Sequence, residues 1–414
     1  CALGLDKAEK FDMKEVRRKT MEICEKYHFD LNPDQKVYEM SVSQKQTLEI
    51  IKVLYRGAQI LILDEPTAVL TPQETERLFD VIRNMKKDNK SVIIITHKLH
   101  EVLEISDRVA ILRKGEYIAT VDTAEATEAS LTEMMVGKKI ELNIRRSEVK
   151  NPVKRLEVRH LTIFNQERVK VLDNVSFDAY GGEILGIAGI SGNGQKELLE
   201  AIAGLQEPEE DSSISFYEKG KENQPMQIVG QSARAIRNAG IHLAFVPEDR
   251  LGMGLVGSMG MTGNMMLKSY ANGMRFLMDF KEPREMAERV VEELDGKTPS
   301  INTPVSRLSG GNVQKVLVGR EIAEDPTVLM TAYAVRGLDI NTSYTIYNLL
   351  DEEKCKGAAV IYVGEDLDVL IDLCDRILVL CGGKVNGIVE GRKTTKEEVG
   401  LLMTNLRKEG DSHE

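Results

Sequence analysis

The chain has 414 residues, 42% of them hydrophobic and 29% charged, and a formal net charge of -11 at pH 7. That profile suits two or three globular domains with real cores and excludes a disordered chain. The acidity also disfavours nucleic-acid binding, because the densest basic stretch, Lys138-Lys139 with Arg145-Arg146 and Lys150, lies in polar sequence and reads as a solvated linker. Five cysteines form no CxxC pair and no metal-ligand spacing with histidine, which predicts free thiols in a reducing compartment. No apolar run approaches the roughly 18 residues that span a bilayer. The opening Cys1-Ala2-Leu3-Gly4-Leu5-Asp6 has neither an initiator Met nor a signal-peptide pattern, so the expectation is a fragment or an incomplete sequence.

The first patterned segment, Gln59-Ile60-Leu61-Ile62-Leu63-Asp64-Glu65-Pro66, is an apolar run that ends in two carboxylates and a proline. It reads as a buried parallel strand delivering acids to the carboxyl edge of a sheet, where open α/β sheets bind ligands. Thr71-Pro72-Gln73-Glu74 then supplies an N-cap, a proline at the first helical position and a carboxylate at the third, predicting a helix through Arg77 to Ile82. Ser91 to Thr96 reads as a second buried strand, which ends in His97 at the same edge. Strand, helix, strand is the unit of a parallel α/β fold.

The same grammar returns later. Ser309-Gly310-Gly311-Asn312-Val313-Gln314 resembles Ser41-Val42-Ser43-Gln44-Lys45-Gln46 at an offset of 268 positions. That offset also sets Ala332 opposite Asp64, Glu365 opposite His97, Asp375-Arg376 opposite Asp107-Arg108, and Gly383 opposite Gly115. A constant offset without insertion marks an internal repeat. The polar stretch Asn143 to Lys154, followed by strand-like Arg155-Leu156-Glu157-Val158, puts the boundary near residue 150. The expectation is a first module over 1–149 and a second over 150–414. In the second, Gly181 to Gly189 leads into Gly189-Ile190-Ser191-Gly192-Asn193-Gly194, and Glu197 to Ala203 follows as a helix. A glycine loop between strand and helix is the setting of a phosphate cradle. Shifted back by the offset, that loop falls before residue 1, so the first module is expected to be incomplete.

These pieces together resemble the tandem ATP-binding subunit of ABC transporters, nearest to the simple-sugar and nucleoside importer branch. The resemblance is carried by Leu63-Asp64-Glu65-Pro66-Thr67-Ala68-Val69-Leu70-Thr71-Pro72-Gln73-Glu74 and His97 in the first copy. In the second it is carried by Val246-Pro247-Glu248-Asp249-Arg250, Leu308-Ser309-Gly310-Gly311-Asn312 and Arg336-Gly337-Leu338-Asp339. It implies an α/β fold of two P-loop NTPase-type nucleotide-binding domains, the first incomplete, that pair head to tail. ATP and Mg²⁺ are the implied cofactors, and membrane permease subunits the partners, fed by an extracytoplasmic solute-binding protein. The implied place is peripheral, on the cytoplasmic face of the plasma membrane. The implied function is to couple ATP hydrolysis to import of a nucleoside or simple sugar, with hydrolysis in the full-length complex and none by the fragment alone. Two other readings stand beside it: a nonenzymatic regulatory or scaffold remnant, and a soluble ABC ATPase acting on macromolecules.

In that resemblance Asp64 belongs to the magnesium shell, Glu65 is the general base and His97 meets the γ-phosphate. ATP hydrolysis needs such groups because its main demands are positioning and charge stabilisation. The alternative readings are that Asp64-Glu65 merely cap a strand end, and that His97, taken alone, is a structural surface or core histidine; the repeat and spacing favour the functional ones. The second copy has Ala332 and Tyr333 where those acids stand, and Glu365 would repel a γ-phosphate. Its glycine loop carries Gln195 where GxxxxGK[ST] has lysine and Lys196 at the Ser/Thr position; Lys196 either swings in to compensate or solvates the first helical turn. The ATP-contacting residues are expected to be Gly189, Ser191, Gly192, Asn193, Gly194, Gln195 and Lys196, with Phe164 at the adenine-stacking position or in the core. Glu248 stands where glutamine is commoner in these modules. Signature segments Ser309, Gly310, Gly311 and Asn312, and the eroded Ser41-Val42-Ser43-Gln44, would complete the sites, glycine letting backbone amides approach a phosphate. The resemblance pairs the intact signature with Asp64, Glu65 and His97, leaving one hydrolytic and one degenerate site. Residues 250–290, loosened by Gly252, Gly254, Gly257, Gly260 and Gly263, form the expected permease-facing region.

Overall fold

The computed structural model describes residues 12–404, except 30, 38–39, 41, 68–69, 71, 97, 114, 138–143, 166, 191, 270–278, 294–297 and 299. The chain divides into two compact units, Cys1–Ile140 and Glu141–Glu414.

The first unit opens with α1 (Met13–Tyr27), capped by the Asp12 carboxylate and ended by left-handed His28, and α2 (Val42–Tyr55). Strand β1 (Ile60–Asp64), α3 (Pro72–Lys87) and β2 (Ser91–Ile95) form a parallel strand-helix-strand unit in which Ile60 lies opposite Ser91 and Asp64 opposite Ile95. Next come α4 (Leu99–Ile105), the antiparallel pair β3 (Arg108–Arg113) and β4 (Glu116–Asp122), and α5 (Glu128–Val136) with a Thr127/Ser130 capping box. Leu61 packs with Tyr27, Ile50, Leu54, Phe79, Ile82 and Met85 in this unit's main core. The sequence predicted β1 and β2 to be buried strands, and one face is not: Ile60, Ile62, Ile93 and Ile95 are more than half exposed. Among the described residues this sheet has two strands, and the helices of the unit cover the face of Leu61 and Ile94.

The second unit begins with segment 144–149 fastened to its surface. Arg146 donates to the carbonyls of Ile371 and Cys374, both at 2.7 Å, and the Ser147 amide and hydroxyl donate to Asp351. The solvated linker expected around Arg146 is therefore corrected here: the guanidinium caps two backbone carbonyls, and Ile144 packs on the core. Strands β5 (Val153–Phe164), β6 (Lys170–Gly181), β8 (Ser213–Phe216) and β9 (Met226–Gln227) form an antiparallel sheet in the order β6-β5-β8-β9. Between β6 and β8 run β7 (Glu183–Gly189) and α6 (Gln195–Ile202). The chain continues through α7 (Ala233–Asn238), β10 (Leu243–Val246), α8 (Met261–Ser269), α9 (Lys281–Glu293) and α10 (Gly310–Ile322). It ends with β11 (Val328–Ala332), α11 (Ile340–Cys355), β12 (Ala359–Val363), α12 (Leu367–Leu373), β13 (Arg376–Cys381), β14 (Lys384–Glu390) and α13 (Lys396–Thr404).

The main sheet runs β10-β11-β12-β7-β13-β14, parallel except for the β13–β14 hairpin. Alternation along its strands feeds two cores. Leu185, Ile187, Met330 and Ile361 join the antiparallel sheet and α6, while Ile184, Leu329, Val360 and Val379 join the helices of the other face. The repeat is structural as well as sequential. At the offset of 268, β1 to β4 fall on β11 to β14 residue for residue, and α1, α3, α4 and α5 start where α9, α11, α12 and α13 start. Both hairpins slip register at the same place, between Ile111 and Leu112 and between Val379 and Leu380.

Candidate nucleotide sites

In the second unit four neighbouring parallel strands end at one edge of the sheet, as such a fold requires for a ligand cleft. Glu248 follows β10, Tyr333 follows β11, Glu365 follows β12, and the glycine loop follows β7. Within that loop Gly192 and Gly194 adopt φ of 90° and 99°. At that φ a Cβ at Gly194 would also lie 2.7 Å from the Val171 carbonyl oxygen, so this turn requires glycine. The loop delivers the chain to the N-terminus of α6, where backbone amides converge for an anion.

Gln195 is 2% exposed and folds back into the loop, its Nε2 donating to the Ile190 carbonyl at 3.1 Å. Lys196 takes the second of the two courses open to it: its ammonium stays on the outer face of α6, 3.7 Å from Glu200, and does not turn into the loop. A residue one position along a helix points about 100° away, which is the reason. Asn193 Oδ1 accepts the Gly382 amide at 3.1 Å, tying the loop to the β13–β14 turn. Phe164, at the end of β5, is 39% exposed with the Lys170 ammonium 5.8 Å from its ring, and so presents a stacking face instead of entering the core.

Where the first copy has acids, the second has buried Ala332 and then Tyr333, at φ 50° with its amide donating to the Val363 carbonyl. Burial first, and then the carboxylates of Glu365 and Glu248, push the Tyr333 phenol up to about 12. It therefore keeps its proton and cannot serve as a base near neutral pH. Arg336 bridges the two carboxylates, to Glu248 and at 3.3 Å to Glu365, with its guanidinium 6.0 Å from the centre of the Tyr333 ring. Sequence reasoning did not find this clamp, because its members lie far apart in the chain and share no spacing.

In the first unit Asp64 is exposed at the end of β1. Glu65 is half-buried at φ 44°, its amide donates to the Ile95 carbonyl at 2.8 Å, and its Oε2 is shielded from solvent. Among the described residues no cluster of three or more His, Cys, Asp or Glu side chains has the arrangement of a metal cage. His97, Ser41 and Ser191 lie outside the described residues, as does the expected cap Thr71. Gln44 accepts from Gln35 Nε2 at 3.4 Å. In the second unit Ser309 caps α10, its hydroxyl accepting the Asn312 amide, and Gly310 and Gly311 form the first turn; a Cβ at Gly310 would meet Arg250 Nη1 at 3.4 Å. No helix among the described residues is long and apolar enough to cross a membrane.

A parallel sheet with a glycine loop after its central strand, flanked by an antiparallel sheet and a helical segment, defines a P-loop nucleotide-binding cassette. The chain matches the family described as ABC transporter over residues 5–68 and 172–331. It is 37% identical to the nucleoside import ATP-binding protein NupA of Lactococcus lactis, over 95% of this chain and 76% of that protein. With the glucose import ATP-binding protein TsgD13 of Haloferax volcanii it shares 38% identity over 97% of this chain and 71% of the relative. With the guanosine import ATP-binding protein NupO of Bacillus subtilis the figures are 36%, 95% and 76%. This chain belongs to the ABC transporter family of ATP-binding proteins.

Proposed function

We propose that this protein is the ATP-binding subunit of an importer for a nucleoside or simple sugar, working against membrane permease subunits on the cytoplasmic face. Similarity to relatives named for those imports supports the cargo class. The observation that carries the chemistry is the acid pair at the carboxyl end of β1, kept in one copy of the repeat and replaced in the other.

Asp64 would hold Mg²⁺, which when bound neutralises phosphate charge in ATP hydrolysis. Glu65 would orient the attacking water and take its proton, and His97 would contact the terminal phosphate. Ser309, Gly310, Gly311 and Asn312 would offer helix N-terminal amides to a nucleotide. The second cassette's Gly189, Ser191, Gly192, Asn193, Gly194, Gln195 and Phe164 would retain nucleotide without hydrolysing it. Leu251, Met253, Val256 and Met259, exposed just after Glu248, favour residues 250–290 as the permease-facing surface.

The test is ATP turnover by the intact protein with its permease in proteoliposomes. E65Q is expected to lower turnover at least about 100-fold while leaving nucleotide binding in place, the size of a general-base contribution. Turnover within a few-fold of the parent protein would remove Glu65 from the mechanism.

A further inference from the structure

Two segments flank the proposed catalytic edge of the first unit, one leaving β1 through Glu65 to Thr67 and the other carrying Thr96 and Lys98 beyond β2. A single buried carboxylate joins them. Glu101, in the first turn of α4, is 4% exposed. Its Oε2 accepts the hydroxyl of Thr67 at 2.7 Å, and Thr67 is itself 1% exposed. Its other oxygen, Oε1, lies 3.4 Å from the Lys98 ammonium, which also donates to the Thr67 carbonyl at 3.3 Å. From α2, Gln46 Nε2 donates to the Pro66 carbonyl, so the turn after Glu65 is held from both sides.

The second copy supplies an internal control. At the same offset Thr67 becomes Val335, Lys98 becomes Asp366, Glu101 becomes Val369 and Pro66 becomes Ala334. Asp366 there only caps α12, through the Asp368 amide. Gln314, the counterpart of Gln46, is 1% exposed with neither amide atom hydrogen-bonded. The frame around both sites is otherwise the same: Glu65 and Tyr333 each have positive φ and donate to the equivalent carbonyls of Ile95 and Val363. The polar tie is present where the acids are present and absent where they are absent. Apolar valines fill the same positions without it, so folding the loop does not require it. Burying a carboxylate carries a large desolvation cost unless its partners are well placed.

We propose that Thr67, Lys98 and Glu101, steadied by Gln46, form a positioning latch that holds the Glu65 turn at a fixed place against the loop following β2. The latch touches no reacting atom. It acts by fixing Glu65 to within the fraction of an ångström that general-base catalysis demands. This rests on the reading of Glu65 as the base.

The experiment measures kcat and KM for ATP in the intact protein with its permease, alongside thermal unfolding of each variant. T67V, nearly isosteric and matching the valine of the second copy, removes the hydroxyl, and E101Q removes the charge that Lys98 faces. Each is expected to lower kcat about tenfold with KM for ATP changed less than twofold, the pattern of a loss confined to the transition state. T67S restores the hydroxyl and is expected to recover kcat to within twofold. Unchanged kcat in T67V and E101Q, beside a collapsed E65Q, overturns the latch and leaves the base in place. So does a T67S variant as slow as T67V, or a rise in KM with kcat intact. Full turnover in E65Q overturns the reading of the base and the latch with it.

Discussion

Strands β1 and β2 and their counterparts β11 and β12 are the same object in two settings. Their registers match position for position at the offset of 268, yet the side chains of Ile60, Ile62, Ile93 and Ile95 are exposed. Val328, Met330, Ile361 and Val363 are buried to 1% or less beneath α6 and the antiparallel sheet. Burial of a strand therefore belongs to its neighbours and cannot be read from its own residues. The chemistry differs between the copies as well. The first keeps two acids and a polar tie behind them, whereas the second has a protonated phenol and an arginine clamped between carboxylates.

The comparison breaks most sharply if catalysis can be moved from one copy to the other. Placing Asp and Glu at Ala332 and Tyr333 in an E65Q background is expected to leave ATP turnover below roughly a hundredth of the parent rate, since Gln195, Glu248, Glu365 and the Arg336 clamp remain. Parent-like turnover in that variant would show that the acids alone separate the copies. Core substitutions test the settings next. Met330→Ala should destabilise the second unit by about 2–5 kcal/mol, whereas Ile62→Ala should change stability by about 0.5 kcal/mol or less in this chain. Equal losses in denaturant unfolding would erase the difference.

A smaller effect is expected from pH at Tyr333. The Tyr333 phenol has its pKa raised from 10.0 to about 12, so the folded state holds that proton more tightly than the unfolded chain. Its contribution to stability is full below pH 10 and is lost as pH rises through about 12. In an alkaline unfolding series Y333F should flatten that window, and in absorbance difference titration E365Q should lower the phenol's pKa. A phenol that titrates near 10 in the folded protein would dissolve the account of the degenerate edge. The smallest change is expected at Lys196: K196A removes an exposed ammonium paired at 3.7 Å with the buried Glu200 and should leave nucleotide Kd within about twofold. A tenfold loss would mean that the ammonium does enter the phosphate loop.

Much of this was legible in the sequence because the repeat has no insertion. Motif spacing alone paired the two copies, and it located the acids at the carboxyl end of β1 and the glycine loop between β7 and α6, whereas the matching hairpins and helix starts came from the structure. What escaped depended on direction in space. Composition made Arg146 a linker residue, but its guanidinium found the open carbonyls at the end of α12. Lys196 had two courses on paper, and only the rotation of α6 decides between them. The latch was hidden because Thr67, Lys98 and Glu101 are ordinary loop and helix-start residues. A signal was available in the paired valines at Val335 and Val369, which the offset sets opposite Thr67 and Glu101.

The left-handed backbone shared by Glu65 and Tyr333 has a further consequence. A non-glycine residue at that φ carries strain of about 1–3 kcal/mol, and it persists where a tyrosine has replaced the acid. The bend is then fixed by the hydrogen bond that the backbone amide donates to the neighbouring strand and not by the side chain it presents. Such a turn behaves as a reusable mount: evolution, or an engineer, can swap what it displays while the bracket itself stays in place.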